Sequence, residues 1–170
     1  MSETIGHGPY LIFDIELGSA ESQDAAFGLD VAHVAQVLEI ESTVAVPLAP
    51  SVVEGIVNHQ GRILTIVDPA PLLDLPPQAH RATQVVILRR SMGAGGNVGV
   101  KVARIRDIVR VDQLEEVDVD AGDAVRCVLR RDRDLIHIVA YQALLAELAK
   151  CFDASDVGET SARETEGARP

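Results

Sequence analysis

The sequence predicts an all-β protein of the barrel or sandwich class. Many short strand-like runs, turn signals at close intervals between them, and a single convincing helical pattern carry that expectation. The side-chain inventory agrees. Of 170 residues 47% are apolar, yet the aromatics are only Tyr10, Phe13, Phe27, Tyr141 and Phe152, with no Trp. A core of Val, Ile, Leu and Ala suits a pleated sheet, because branching at Cβ restricts χ1 at little cost there. That apolar content can form a core without disulfides or metal, and the length fits one domain or two tightly joined subdomains.

Residues 10–17 form a first strand, with an apolar start followed by Phe13, Ile15 and Leu17 alternating with Asp14 and Glu16. A polar loop over 18–24 and a second strand over 26–30 complete a hairpin. Residues 31–40 fit a helical turn at Val31, Val34, Val37 and Leu38, and also an extended strand from Val34 onward. A short turn leading into a strand is the expectation. Pro47 and Pro50 break any regular element. Ser51-Val-Val-Glu54 has the spacing of a capping box, in which hydroxyl and carboxylate satisfy each other's backbone N–H groups. It predicts a short helix over 51–54, ended by Gly55. Residues 56–58 begin a strand and 59–61 turn the chain. Residues 62–67 are almost wholly apolar, which predicts a strand buried on both faces. Asp68-Pro69 stops it, and 70–75 holds a helical turn.

Residues 78–83 read as a polar linker dividing the chain into two halves of similar strand content. Residues 84–89 form a strand, 91–97 a glycine-rich loop, and 98–102 an alternating strand, with 105–111 continuing the sheet. An acidic connection over 112–122 leads to strands at 125–129 and 135–139, paired around the charged turn 130–134. The helix spans 140–150, with Leu144, Leu145 and Leu148 on one face and Lys150 at the negative end of its dipole. After Phe152 the composition is too polar to bury the surface that ordering requires. The domain is therefore expected over 8–150, with a flexible tail over 151–170.

The formal net charge is −11 with no offsetting stripe of Lys and Arg, which disfavours nucleic acid and anionic membrane surfaces. The first nine residues lack the basic patch and apolar run of a signal peptide, and no apolar stretch is long enough to span a bilayer. A cytoplasmic protein is expected, with Cys127 and Cys151 as reduced thiols. The glycines of 93–99 lie between strand-like runs, as a hairpin loop, whereas a phosphate-binding loop precedes a helix. His7, His33, His59, His80 and His137 have no partner at metal-ligand spacing. Ser51 is explained as a cap, and no Gly-x-Ser-x-Gly occurs. Asp14, Asp30 and Asp68 lie in separate segments near turns or on a polar strand face, giving no acid/base pair. The acidic run 112–123 reads as a solvated connection or a surface for a basic partner. No catalytic residue, cofactor or metal is expected.

A resemblance sharpens this reading. Val34-Ala-Gln-Val-Leu-Glu39, then Pro47-Leu-Ala-Pro50, Gly55-Ile-Val-Asn-His-Gln-Gly61 and Ile66-Val-Asp-Pro-Ala-Pro-Leu-Leu73 follow in order. The series resembles the CheW-like domain of bacterial chemotaxis coupling proteins. The family pattern has Val-x-Glu-Val, a proline-containing loop, Gly-x-x-Asn-x-Arg-Gly, and an apolar strand ending in a Val-Asp-Leu type motif. Val98-Gly-Val-Lys-Val102, and Leu135-Ile-His-Ile-Val139 leading into Leu144-Leu145, extend the likeness over residues 8–150.

The resemblance implies two five-stranded SH3-like barrels sharing a hydrophobic interface, with a C-terminal helix. It implies an adaptor between chemoreceptor cytoplasmic tips and the regulatory domain of a CheA-type histidine kinase. The partner-binding residues it points to are Val34, Gln36, Val37, Gly55, Asn58, Gln60, Gly61, Arg62 and Val86. Gln36 stands where the family has glutamate, Gln60 where it has arginine, and Ala103 where it often has aspartate. In the resemblance the first two lie close together and pair as opposite charges; here they are two amides. A regulator binding one partner and competing with a true coupler is the alternative. A small β-barrel enzyme using His59 and Asp68 is a further one.

Overall fold

The computed structural model describes residues 8–17, 24–79, 83–89 and 97–156. The loop expected at 18–24, apart from Asp24, residues 80–82 of the linker, the glycine loop up to Gly96 and the tail from 157 lie outside the described residues. Strands β1 (Pro9–Ile15), β2 (Ala25–Asp30), β8 (Arg104–Arg110), β9 (Glu115–Val117), β10 (Val125–Arg131) and β11 (Asp134–Val139) form one sheet, ordered β8-β1-β2-β11-β10-β9. Strands β3 (Val34–Glu39), β4 (Val53–His59), β5 (Arg62–Val67), β6 (Gln84–Leu88) and β7 (Asn97–Val102) form the second, ordered β3-β6-β7-β5-β4. Each sheet is antiparallel apart from one parallel pair, β2 with β11 and β5 with β7. Helix α1 (Tyr141–Asp156) follows β11.

Each sheet curls into a small barrel. In barrel two the β3–β4 connection returns to edge strand β4 through the Val44–Ile56 bridge, with both backbone bonds at 2.8 Å. In barrel one ion pairs span the mouth between β8 and the β10–β11 turn: Asp107 with Arg131 at 2.6 Å and Arg106 with Asp134 at 2.7 Å.

Period-2 alternation explains why the strands look apolar on both faces. On β1, Tyr10 and Ile12 enter the core of barrel one, whereas Leu11, Phe13 and Ile15 enter a larger core between the barrels. On β6, Val85 and Ile87 fill barrel two, while Val86 and Leu88 join the shared core. Leu144 and Leu148 of α1 close that core against Leu72 and Leu73 of the 3₁₀ turn Ala70–Leu73.

Several expectations are corrected. Residues 51–54 are not helical: Ser51 and Val52 turn the chain and Val53 opens β4. Val52 is buried in the shared core, and the Glu54 carboxylate is drawn 2.8 Å from Lys101 Nζ. The strand after Ala103 leaves the sheet of β7 and joins barrel one. Residues 78–83 do not divide the chain into halves, because barrel two is a single insertion over 34–102 within barrel one. The acidic connection contains the 3₁₀ turn Val111–Gln113 and strand β9. Asp14 is on no polar face; it is fully buried. Strand β5 is not buried on both faces, since Ile63 is 55% exposed. Helix α1 runs past Lys150 to Asp156, and Cys151 and Phe152 pack on the shared core.

Candidate partner-docking surface

Strand β3 begins where the chain passes from barrel one to barrel two. Asp30 Oδ1 accepts from Ala32 N at 2.8 Å and caps the 3₁₀ turn Val31–His33. Arg89 braces the same crossing: its guanidinium donates to Ala32 O at 3.0 Å and Val34 O at 2.8 Å, and its backbone N to His33 O at 2.8 Å. The His33 ring stacks on Tyr141 of α1 with centroids 3.9 Å apart. β3 therefore starts from a fixed point.

Along β3 a bulge between Val34 and Gln36 resets the alternation. Val34 packs partly on the shared core, Gln36 is exposed, and Val37 is 39% exposed opposite buried Val86. The β4–β5 turn supplies the second group. Asn58 Oδ1 accepts from Gly61 N at 3.0 Å, and Gln60 and Gly61 adopt φ of 53° and 77°. Both central residues are left-handed, as a two-residue type I′ hairpin requires, which is why Gly61 is a glycine. Asn58, Gln60, Gly61 and Arg62 are exposed.

Two residues of the expected set do not reach the surface. Val86 is 0% exposed, and Gly55 is buried at the barrel seam. A Cβ on Gly55 would meet Val44 O at 2.6 Å, so its contribution is the close approach of two backbones. Gln36 lies on edge strand β3 and Gln60 in the turn that follows edge strand β4, at opposite ends of the strand order, while the Val44–Ile56 bridge ties the β3–β4 connection to β4.

Barrel two also exposes apolar residues outside the expected set. Leu48 is 97% exposed at φ 60°, in a turn closed by Ala49 N donating to Val46 O at 3.3 Å. Val44 and Ile63 are also exposed. The only signal of Leu48 was Pro47, which marks a turn and says nothing of exposure. Ile63 was hidden by its apolar neighbours.

The buried ionisable groups are committed to the fold. Asp68 accepts from Ala70 N at 3.0 Å and from Gln78 N and Nε2 at 2.7 and 2.9 Å. His59 pairs with Arg62 at the far end of the β4–β5 ladder. At about 3.3 Å per residue, the six residues from Arg62 to Asp68 span roughly 20 Å, so His59 and Asp68 do not converge. Among the described residues no group of three or more His, Cys, Asp or Glu could hold a metal ion. No described helix is long and apolar enough to cross a membrane. Burial pushes the Cys127 thiol pKa up, Glu116 adds to the rise and Arg126 opposes it, which keeps the thiol protonated at neutral pH.

A family model described as the CheW-like domain matches residues 15–149. The chemotaxis protein CheW of Thermotoga maritima is 24% identical over 139 residues, covering 79% of this chain and 90% of that protein. The crystal structure of the scaffolding protein TtCheW from Thermoanaerobacter tengcongensis superposes with a TM-score of 0.61 at 20% identity, covering 85% of this chain and 91% of that one.

Proposed function

Since the chain belongs to the CheW-like domain family, we propose that it is a non-enzymatic adaptor joining chemoreceptors to a CheA-type histidine kinase in a chemotaxis-like pathway. The observation that carries the reading is the sorting of the expected contact residues. Gln36 and Val37 on β3, and Asn58, Gln60, Gly61 and Arg62 on the β4–β5 hairpin, are all exposed on barrel two. Val34 and Val37 would receive the apolar face of a receptor-tip helix, a mode set by spaced apolar anchors in a groove. The kinase's regulatory domain would dock elsewhere on the barrels, leaving the chain to bridge the two. Gln36 and Gln60 would present donors and acceptors where the family presents opposite charges, so the protein would serve a dedicated receptor. The place of action is the cytoplasm, where receptor tips and kinase meet.

Mixing the protein with the kinase's regulatory domain and a receptor cytoplasmic fragment, separately and together, tests this by size-exclusion chromatography. Both binary complexes and a ternary complex are expected. A single binary complex, broken when the other component is added, would instead establish a competitor of a true coupling protein.

A further inference from the structure

A shared apolar core does not fix the angle between two barrels, because hydrophobic attraction has no direction. Hydrogen bonds do have direction, and two glutamines of barrel two supply them to barrel one. Gln78 is 6% exposed and uses its whole amide. Its Oε1 accepts from Glu16 N at 3.1 Å, just past the end of β1. Its Nε2 donates to Asp68 Oδ1 at 2.9 Å and to Lys101 O at 3.4 Å. The segment carrying Gln78 is itself pinned, because Gln78 N donates to Asp68 Oδ2 at 2.7 Å and Gln78 O accepts from Lys101 Nζ at 3.1 Å. Lys101 is buried, and its ammonium is paired with Glu54 at 2.8 Å. Gln84, at the start of β6, accepts from Ile105 N of β8 at 2.9 Å through its own Oε1. The two amide contacts stand near Ala103, where the chain crosses between barrels and Ala103 N donates to Asp14 O at 2.8 Å.

We propose that Gln78 and Gln84 are positioning residues that fix the angle between the barrels, and with it the opening of the surface at β3. Only the second clause rests on the adaptor reading. The chemistry asks for an amide at 78, since the group must accept from one barrel's backbone and donate to a buried carboxylate of the other. A glutamate there would set one carboxylate against another. A leucine would fill the volume and leave Glu16 N–H without its acceptor. Residues 78 and 84 thus hold the end of the interface remote from the crossing that Arg89 braces.

Residual dipolar couplings of the full-length chain, with no partner present, test the proposal. Couplings from each barrel are fitted separately. In the wild type the two alignment tensors coincide. In Gln78→Leu/Gln84→Leu each barrel still fits its own structure, but the tensors separate in orientation or magnitude. A residue serving stability alone would lower Tm and leave the tensors coincident, and coincident tensors in the folded double variant overturn the proposal. Should the double variant not fold, Gln84→Leu alone, which removes one acceptor from a half-buried side chain, decides the matter by the same reading. The measurement involves no partner, so its failure is separate from failure of the ternary complex to form.

Discussion

Asp14 was read as the polar member of an alternating strand, and its environment shows why a single residue type is ambiguous. The carboxylate is fully buried, and two arginines of β8 meet it. Arg104 donates to Oδ2 from Nε at 3.1 Å and from a terminal nitrogen at 2.8 Å. Arg106 Nε stands 2.6 Å from Oδ1, a charge contact whose angle leaves Oδ1 without a well-formed hydrogen bond. The arginines keep contact with solvent and the aspartate does not, so the two sides of the pair are unequal. Removing both arginines strands an anion in the interior; removing the anion leaves arginines that hydrate. Arg104→Ala/Arg106→Ala should therefore cost about 3–5 kcal/mol in a urea titration. Asp14→Asn, which keeps the volume, should cost about 1–3 kcal/mol. Asp14→Asn proving the costlier of the two would show that the net attraction, and not the stranded charge, dominates. No pattern on β1 alone could have announced this arrangement, because the partners lie some ninety residues away.

At the scale of the element, the seam of barrel two rests on Gly55. β4 is an edge strand, and Val44 reaches it through two backbone bonds only because residue 55 has no Cβ. Gly55→Ala forces the strands apart, at a cost of about 1–3 kcal/mol. Hydrogen exchange locates the damage: protection of the Val44 and Ile56 amides should fall while that of β7 stays as in the wild type. Unchanged protection at Val44 and Ile56 would mean that the barrel is held closed by its core alone. The strands were legible where alternation or a continuous apolar run was strong, as in β1, β6, β7 and β11, and the turn at Val31–His33 before β3 was read correctly. The helix over 51–54 was misread because a Ser-x-x-Glu spacing is a local signal, and here Lys101 captured the glutamate. β9 was missed because its pairing to β10 gives Glu115 and Glu116 a place in a sheet that their propensity does not favour. Strand β8 could not be assigned to its sheet from sequence, since a change of sheet at Ala103 leaves no compositional mark.

For the molecule as a whole, the fold follows from two barrels drawing on a shared core, whereas in the adaptor reading specificity would follow from a few exposed groups on one of them. The family was legible through its motif, and with it the residues expected at a partner contact. Which of the expected residues reach the surface was not: Gly55 and Val86 lie inside, and Leu48 and Ile63, outside the expected set, are exposed. The amides of Gln36 and Gln60 are the test of whether exposed groups choose the partner. Both side chains are exposed, so restoring opposite charges by Gln36→Glu with Gln60→Arg should change stability by no more than about 1 kcal/mol. Residue 60 already sits at φ 53°, a strain that both side chains bear equally, so the backbone gives no reason for a difference. Binding is another matter, because interface charges discriminate between partners more than they add affinity. Calorimetric titration of the double variant against a receptor tip of the usual charge pattern should show tighter binding than the wild type, and against the chain's own receptor weaker binding. If both affinities move by less than about twofold, or roughly 0.4 kcal/mol, the amides are an ordinary replacement for the ion pair. Partner choice would then have to lie in the apolar surface of Val37, Val44 and Leu48.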